Sequence, residues 1–286
     1  MADTPDRRWR ARLLLGLITG SVRALGPARH PLGTLIAMVW YAKQPPAVRR
    51  RAADSHRRFD RALSAAAARR RARASYREYV WMMLDGIWAE PLDGRGLLDV
   101  VDVEGAEWAH GRNAIMVTSH FGNWDIGVSA AHALEMAMTT VMAPIGGETM
   151  TAMVEISRAR KGFELFAPRQ AARGLIRALR RGRWVGLMLD VPEAGPTVVV
   201  PFCGGPVRVS AVPARLAAGT ATPIVPAACW RVGDRWRVRI HPPITVDPLE
   251  DDATVMARVA AVLEPEIRRH PEQWYPFHEV FADGGG

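Results

Sequence analysis

The chain has 286 residues, of which 49% are hydrophobic and 23% are charged, and its formal net charge is +9. This length and composition allow a stable buried core, and they exclude an intrinsically disordered chain and a polytopic membrane protein. The basic excess is arginine apart from Lys43 and Lys161. Such a surface favours an anionic partner: a lipid headgroup, a nucleic acid or an acidic carrier.

The two cysteines of the chain indicate the redox environment of the protein. Cys203 and Cys229 have neither the spacing of a zinc site nor the density of a secreted disulfide scaffold. They are therefore predicted to be packed thiols in a reducing compartment. The early apolar run "LLLGLITGSV" lacks a small-residue cleavage site after it, so we expect the protein on the cytoplasmic side.

The first predicted element is an amphipathic helix over residues 8–25. One side is apolar, with Leu13, Leu14, Leu17, Ile18, Val22 and Leu25; the other carries Arg8, Arg12, Thr19 and Arg23. The run falls short of the ~18 to 20 residues that cross a bilayer. The stripe can pack on the protein's own core or lie in a membrane interface, and both can hold. A second apolar segment, residues 31–43, ends in Trp40 and Tyr41, which suit the headgroup region.

Residues 46–90 are also predicted to be helical, because no Gly or Pro occurs between Ala47 and Gly86. The arginines of "AAAARRRARA", residues 65–74, are interpreted as a solvated face or as an anion contact. We therefore expect residues 1–92 to form a helical, membrane-associating region. Residues 93–286 would form a second region, joined to the first as one continuous structural unit.

The second region alternates between strands and helices. Strands are predicted at 113–120, 139–144, 183–190, 222–230 and 235–243, and helices at 123–136, 148–162, 170–182, 210–220 and 253–270. This pattern predicts an α/β fold, an αβα layered sandwich with a mostly parallel central sheet. In such sheets ligand sites form beyond the carboxyl ends of the strands. "SHFGNWD" and "DVPEAG" both follow strands, so we expect them to face one crevice.

The stretch "SHFGNWD", residues 119–125, carries the candidate chemistry. His120 follows a strand, Gly122 permits a tight turn, and Asn123 is a good N-cap for the next helix. Asp125 then falls in the first helical turn, where the helix dipole favours a carboxylate. From there Asp125 is predicted to hold the imidazole of His120, which becomes a general base. A structural histidine beside a helix-start aspartate is the alternative.

No better nucleophile is present, since the sequence has no Gly-x-Ser-x-Gly elbow and neither cysteine lies at a strand end beside a histidine. Direct transfer to an acceptor hydroxyl is therefore favoured over an acyl-enzyme. The other histidines do not pair with carboxylates or cysteines at metal spacing, so no metal is expected. "WRVGDRWRVRIHPP" could bind single-stranded nucleic acid, but a β-hairpin explains its "GD" turn better.

Four blocks in order resemble the glycerolipid acyltransferase superfamily. "SHFGNWD" is similar to its His-x4-Asp/Glu block, and the Phe-Gly-Asn-Trp spacer resembles the branch of lipid A biosynthesis (late) acyltransferases and phosphatidylinositol-mannoside acyltransferases. "ISRARKGFELF" resembles the arginine block of that branch, "LMLDVPEAGPTVVVPFCGGPVRVS" its Asp-containing block and "HPEQWYPFHEVF" its closing signature. The resemblance covers roughly residues 95–281.

The resemblance implies roles for particular residues. His120 and Asp125 would be catalytic, as base and orienting partner. Arg158 would bind a phosphate of the donor or acceptor. Asp190 matches the acidic position of this branch, whereas "PEAG" also resembles a Pro-Glu-Gly block that would single out Glu193, so both stand as candidate substrate-binding residues. Asn123 is a further one.

The sequence thus predicts an O-acyltransferase on the cytoplasmic face of the plasma (inner) membrane, peripheral or monotopic. It would move a fatty acyl group from an acyl thioester, acyl-CoA or acyl-ACP, to a hydroxyl of a lipid or glycolipid, with no resident cofactor. Its partners would be that donor, the lipid acceptor and an anionic membrane surface, with no nucleic acid. The alternatives are an esterase or thioesterase that uses the same dyad on water, and a non-enzymatic basic module that binds membrane or nucleic acid.

Overall fold

The computed structural model describes residues 5–92, 94–110, 113–168, 171–192 and 195–282. The chain begins with four helices: α1 (Pro5–Leu25), α2 (Arg29–Lys43), α3 (Pro46–Phe59) and α4 (Ala65–Ala89). The predicted helical character of this region is confirmed. The expected division of the chain after residue 92 stays a prediction.

The helical stretch predicted over residues 46–90 is interrupted between α3 and α4. Asp60 caps the end of α3 in an extended conformation, and the Ser64 side chain accepts a hydrogen bond from the backbone N–H of Ala67 at the start of α4. Ser favours a helix start because its hydroxyl accepts from an N–H that the helix leaves unpaired, and the Asp60 carboxylate accepts from the N–H of Ala62 in the connecting turn. The break therefore had a sequence signal even without Gly or Pro.

The remainder of the described chain is built around a seven-stranded sheet in the order β1-β9-β8-β2-β5-β3-β4. The strands are β1 (Val101–Glu104), β2 (Ile115–Thr118), β3 (Met138–Val141), β4 (Glu164–Phe166), β5 (Trp184–Met188), β8 (Ile224–Val232) and β9 (Arg235–Ile240). The pairs from β8 to β4 are all parallel, and β8 and β9 form an antiparallel hairpin. The mostly parallel sheet and the hairpin at "GD" are confirmed.

Helices cover both faces of this sheet. They are α5 (Gly94–Leu98), α6 (Trp124–Ala133), α7 (Glu148–Arg160), α8 (Ala171–Arg180), α9 (Val212–Thr220) and α10 (Asp252–Arg269). Alternation along the strands divides the core between the two faces: Ile115 and Val185 pack into one hydrophobic cluster, and Ala114 and Trp184 into the other. This arrangement is the predicted αβα sandwich.

A second, two-stranded sheet lies outside the main one and was not predicted from the sequence. Its strands are β6 (Thr197–Phe202) and β7 (Gly205–Ser210), which pair antiparallel. Cys203 and Gly204 form the two-residue turn, with φ values of 49° and 88°. Positive φ at both positions matches the twist of the flanking strands.

Both cysteines are buried and form no disulfide, as predicted. Burial raises the pKa of the Cys203 thiol and of the Cys229 thiol well above the ordinary value, so both stay protonated. Thiols held in this form are poor nucleophiles. This agrees with their interpretation as packing residues.

The apolar stripe of α1 faces outward. Ala11 and Leu15 are buried where the helix meets α7, and Val22 is buried as well. The exposed large apolar side chains of α1 are Trp9, Leu13, Leu14, Leu17 and Leu25, and those of α2 are Leu32, Leu35, Ile36, Met38 and Val39. We call these ten residues the α1–α2 apolar face. Of the predicted stripe, only Val22 is fully buried. No helix in the described ranges is both long and apolar enough to cross a membrane.

Candidate active site

His120 and Asp190 are brought together by the register of two parallel strands. Each residue of β2 pairs with the residue 70 positions later in β5, from Ile115 with Val185 to Thr118 with Met188. Two positions beyond the last pair, the same offset places His120 beside Asp190. Parallel strands end at one edge of a sheet, so both side chains lie where such folds bind ligands.

The contact between the two residues uses both the backbone and the side chain of His120. The backbone N–H donates to Asp190 Oδ1 at 2.9 Å and Oδ2 at 3.1 Å, and Nδ1 lies 3.0 Å from Oδ1. Asp190 is buried, whereas the His120 side chain is 31% exposed. The sheet therefore holds the carboxylate inside and presents the imidazole to solvent.

The charge state of Asp190 follows from these contacts. Burial by itself raises the pKa of this carboxyl, but the charge of His120 and the hydrogen bonds from its ring and backbone outweigh burial and leave the pKa below its usual value. Asp190 is accordingly ionised at neutral pH. An ionised carboxylate favours the tautomer in which Nδ1 carries the proton, and the basic lone pair is then on Nε2.

The turn after His120 is fixed by distant parts of the chain. Gly122 has a φ of +62°, and a Cβ at this position would lie 1.9 Å from the carbonyl oxygen of Cys229. Its N–H donates to the Gln273 carbonyl at 2.8 Å, and the Tyr275 hydroxyl donates to its carbonyl at 3.0 Å. The closing "PEQWY" stretch, residues 271–275, thus braces the turn that carries His120.

Asn123 is a helix cap, and the structure does not support its assignment to substrate binding. Its side-chain oxygen accepts from the N–H of Ile126 at 3.0 Å, which confirms the predicted N-cap. Its Nδ2 donates to the carbonyl of Met82 on α4 at 3.1 Å. The residue is buried and both ends of its amide are used within the protein. Asn123 therefore joins α6 to α4.

The predicted contact between Asp125 and the imidazole is replaced by a different pair. The Asp125 carboxylate is bound by the guanidinium of Arg158, at the end of α7, and the carboxylate at Nδ1 of His120 is that of Asp190. The physical reason is the reversal at Gly122, which directs α6 away from the end of β2. Asp125 lies against Gly86 of α4, where an added Cβ would come within 3.0 Å of the Asp125 Cβ.

The two acidic candidates in "DVPEAG" are Asp190 and Glu193, and the structure describes only the first of them. Asp190 is in the site, whereas Glu193 lies outside the described residues. Between them Val191 has a φ of 56°. A β-branched residue in this region of the Ramachandran plot is strained by about 1–3 kcal/mol, and strained backbone occurs preferentially at functional sites. The left-handed backbone at Val191 turns the chain immediately after Asp190, just beyond the end of β5.

Aromatic rings surround the exposed side of His120. Trp124 packs edge-on to the imidazole with centroids 5.2 Å apart, and Tyr79 and Tyr275 contact Trp124 at 6.4 and 6.0 Å. Trp40 of α2 lies 5.6 Å from Tyr79, so ring contacts run from α2 to the imidazole. No feature of the sequence predicted this contact between Trp124 and the imidazole.

His278 is a further residue near the site that the sequence analysis did not select. Burial lowers the pKa of His278; the charge of Asp190 opposes this, and the charges of His120 and Arg51 reinforce it. His278 follows Tyr275, whose hydroxyl donates to the carbonyl of Gly122 in the turn after His120. The sequence offered only its position in the closing signature "YPFHEVF" as a signal. Among the described residues, no group of three or more His, Cys, Asp and Glu side chains could hold a metal ion.

A comparison with protein families gives a match over most of the chain. A family model described as bacterial lipid A biosynthesis acyltransferase matches residues 14–282. The chain belongs to the bacterial lipid A biosynthesis acyltransferase family. This confirms the resemblance carried by the four sequence blocks.

Two curated proteins that are similar to this chain are named phosphatidylinositol mannoside acyltransferase. That of Mycobacterium tuberculosis (strain CDC 1551 / Oshkosh) is 29% identical over 184 residues, 63% of this chain and 57% of the relative. That of Mycolicibacterium smegmatis is 28% identical over 186 residues, 62% of this chain and 60% of the relative. The matches thus span less than two thirds of these relatives' length.

A crystal structure of the 1-acyl-sn-glycerophosphate (LPA) acyltransferase PlsC from Thermotoga maritima superposes with a TM-score of 0.44 and 15% identity, over 92% of this chain and 99% of that one.

Proposed function

We propose that this member of the lipid A biosynthesis acyltransferase family transfers a fatty acyl group from an acyl thioester to a hydroxyl of a lipid or glycolipid. The observation that carries the proposal is the pair formed by a partly exposed imidazole and a buried, ionised carboxylate at the end of two parallel strands. An imidazole oriented by a carboxylate in this way can act as a general base. The names of the mycobacterial relatives favour a glycolipid acceptor.

The chemistry follows from the tautomer that Asp190 favours. Nε2 of His120 removes the proton of the acceptor hydroxyl as the hydroxyl oxygen attacks the thioester carbonyl. The carbon–sulfur bond then breaks, and the imidazolium returns the proton to the leaving thiolate. Asp190 stabilises the transient imidazolium and keeps the ring oriented, as the carboxylate of a hydrolase triad does. The products are an ester and a free thiol, so no enzyme nucleophile is required.

Asp125 and Arg158 have a positioning role in this proposal. The ion pair joins the start of α6 to the end of α7, next to the turn that carries His120. A guanidinium has five N–H donors, so Arg158 can bind a phosphate oxygen of donor or acceptor while it holds Asp125. This keeps the phosphate-binding role that the arginine block predicts.

We further propose that the α1–α2 apolar face binds the cytoplasmic face of the inner membrane as a peripheral or monotopic anchor. Leu17 and Leu35 are each 58% exposed, and both helices pack against α4, which carries Tyr79 of the ring contacts near His120. Contiguous exposed apolar surface is uncommon in monomers and marks interaction sites. Basic residues next to it, such as Arg12 and Arg23, suit anionic headgroups.

The reaction is tested with His120→Ala in the full chain. Since a general base contributes about 10²–10⁴-fold to a rate, the variant should lose at least about 100-fold of acyl transfer while its thermal melting is unchanged. The assay follows a radiolabelled acyl group from thioester to extracted lipid. Undiminished turnover in the variant, or release of free fatty acid in the wild type regardless of added lipid acceptor, would contradict the proposal.

The membrane contact is tested with the double substitution Leu17→Gln/Leu35→Gln. Burial of one leucine contributes about 1.5–3 kcal/mol, so loss of two should weaken binding to vesicles of mixed zwitterionic and anionic phospholipid by more than about tenfold. Leu249→Gln is the matched control, because Leu249 is 95% exposed and lies outside the α1–α2 apolar face. Equal vesicle binding by the double variant and the wild type would overturn this part of the proposal.

A further inference from the structure

A basic cavity lies between α3 and the end of the described chain. Its volume is about 750 Å³. Five arginines line it with two carboxylates; these residues are Arg50, Arg51, Arg57, Arg58, Arg61, Asp54 and Glu279. The lining residues of α3 lie on one side of the helix: Arg50 and Arg51 come first, Asp54 follows one turn later, and Arg57 and Arg58 one turn after that, with Arg61 in the turn beyond the helix. We call this the α3 arginine cavity.

The positive charge of the cavity is only partly balanced within the protein. The guanidinium groups of Arg50, Arg57 and Arg61 form no ion pair or hydrogen bond with any residue in the described ranges. Arg58 is engaged, since its guanidinium stacks over Phe281 at 4.2 Å and forms part of the wall. Five guanidinium groups around one cavity repel one another, and a bound anion would relieve this repulsion.

The chemistry of the wall favours a water-soluble polyanion over a lipid surface. Among the described residues, the large apolar side chains that are exposed include none that lines this cavity. The α1–α2 apolar face, in contrast, combines such side chains with arginines. A concave volume of this size is within the roughly 300–1,000 Å³ range of small-molecule sites. Several phosphates on one compact ligand would match several guanidinium groups.

The cavity is linked to the candidate active site. Glu279, Val280 and Phe281 line it and directly follow His278. The stretch just before His278 contacts the turn that carries His120, since the Gln273 carbonyl accepts from the Gly122 N–H and the Tyr275 hydroxyl donates to the Gly122 carbonyl. A ligand anchored by its phosphates in this cavity would therefore lie beside the edge of the sheet where acyl transfer is proposed.

We propose that the α3 arginine cavity binds the phosphate groups of a nucleotide-bearing thioester donor, the chemical class represented by coenzyme A. This inference rests on the proposed acyl transfer and specifies how the donor is held. The 3′-phosphate and diphosphate of such a donor pair with Arg50, Arg57 and Arg61. The pantetheine arm then extends past His278 toward His120.

The test measures binding of coenzyme A to the full-length protein by isothermal titration calorimetry at fixed salt. Arg50→Gln/Arg57→Gln should weaken binding by about tenfold or more, as expected for the loss of charge-assisted hydrogen bonds. Arg69→Gln/Arg70→Gln on α4 is the matched control: it removes the same charge from exposed arginines that do not line the cavity, and should change the affinity less than twofold. Dephospho-coenzyme A should bind more weakly than coenzyme A, and adenosine should not compete.

Several outcomes would overturn the inference. Equal losses in the two double variants would mean that the effect is one of overall charge. If Arg50→Gln/Arg57→Gln weakened only the binding to anionic vesicles, the cavity would bind a lipid headgroup instead. If the double variant only raised the KM for acyl-ACP, the cavity would bind a carrier protein instead. His120→Ala should lose acyl transfer but retain coenzyme A binding. Calorimetry therefore tests the donor site, and the transfer assay tests the proposed reaction, independently of each other.

Discussion

The end of β5 and the start of α6 each place a carboxylate near the turn that carries His120, and they do so by different means. Asp190 is 70 residues away in the chain, yet the register of β2 and β5 sets it against the imidazole. Asp125 is close in sequence but belongs to a helix that leaves the turn in another direction, and it pairs with Arg158. Strand register therefore fixes the pair of His120 and Asp190, and the helix start fixes the pair of Asp125 and Arg158.

The largest difference in stability is expected between substitutions of two glycines, Gly122 in the turn after His120 and Gly86 beside Asp125. Gly122→Ala puts a Cβ 1.9 Å from a backbone carbonyl at a φ of +62°, so we expect a loss of more than about 3 kcal/mol in the free energy of unfolding, or failure to fold. Urea unfolding of purified protein measures this. A variant as stable as the wild type would show that the turn at His120 is not held as described.

Gly86→Ala is the matched substitution at Asp125. The added Cβ meets a side-chain atom at 3.0 Å rather than a backbone atom, and alanine favours the helix by about 1 kcal/mol over glycine. The stability change should therefore stay within about 1 kcal/mol, because crowding and helix propensity oppose each other. A loss as large as that of Gly122→Ala would remove the distinction between the two places.

A further difference in stability is expected from the pH dependence of Asp190. Since the folded protein lowers the pKa of this carboxyl, its ionised form stabilises the fold above the unfolded value of 3.8, and this contribution disappears as the pH falls through the folded value. Wild type should exceed Asp190→Asn in stability by about 1–3 kcal/mol at pH 7. The gap should close toward pH 3 in urea titrations. A gap that widens with falling pH would contradict the assigned charge state.

Much of this arrangement was predictable from local sequence. Alternating apolar segments gave the layered sheet, Asn123 gave the cap of α6, and the strand ends placed "SHFGNWD" and "DVPEAG" at one edge. The partner of His120 was assigned wrongly because the direction of a helix after a tight turn depends on distant contacts. Here those contacts come from Cys229 and Gln273, which lie more than a hundred residues further along the chain.

The N-terminal helices show a different limit of sequence patterns. The stripe from Leu13 to Leu25 is amphipathic under either interpretation, because periodicity identifies an apolar face but not what covers it. The structure answers this for the protein's own core: Leu15 and Val22 meet it, and Leu13 and Leu17 do not. Position relative to α7, rather than the pattern itself, decides which side chains remain exposed.

The central claim is that Asp190, and not Asp125, holds the catalytic imidazole. Its most direct test compares kcat for acyl transfer in Asp190→Asn and Asp125→Asn, with folding verified for both. Asp190→Asn should lower kcat by about 100-fold or more, because the imidazolium loses its stabilising charge and the ring its tautomer, whereas Asp125→Asn should lower it by about tenfold or less. If instead Asp125→Asn abolished turnover and Asp190→Asn left it near the wild-type value, the account of the site given by the strand register would be wrong.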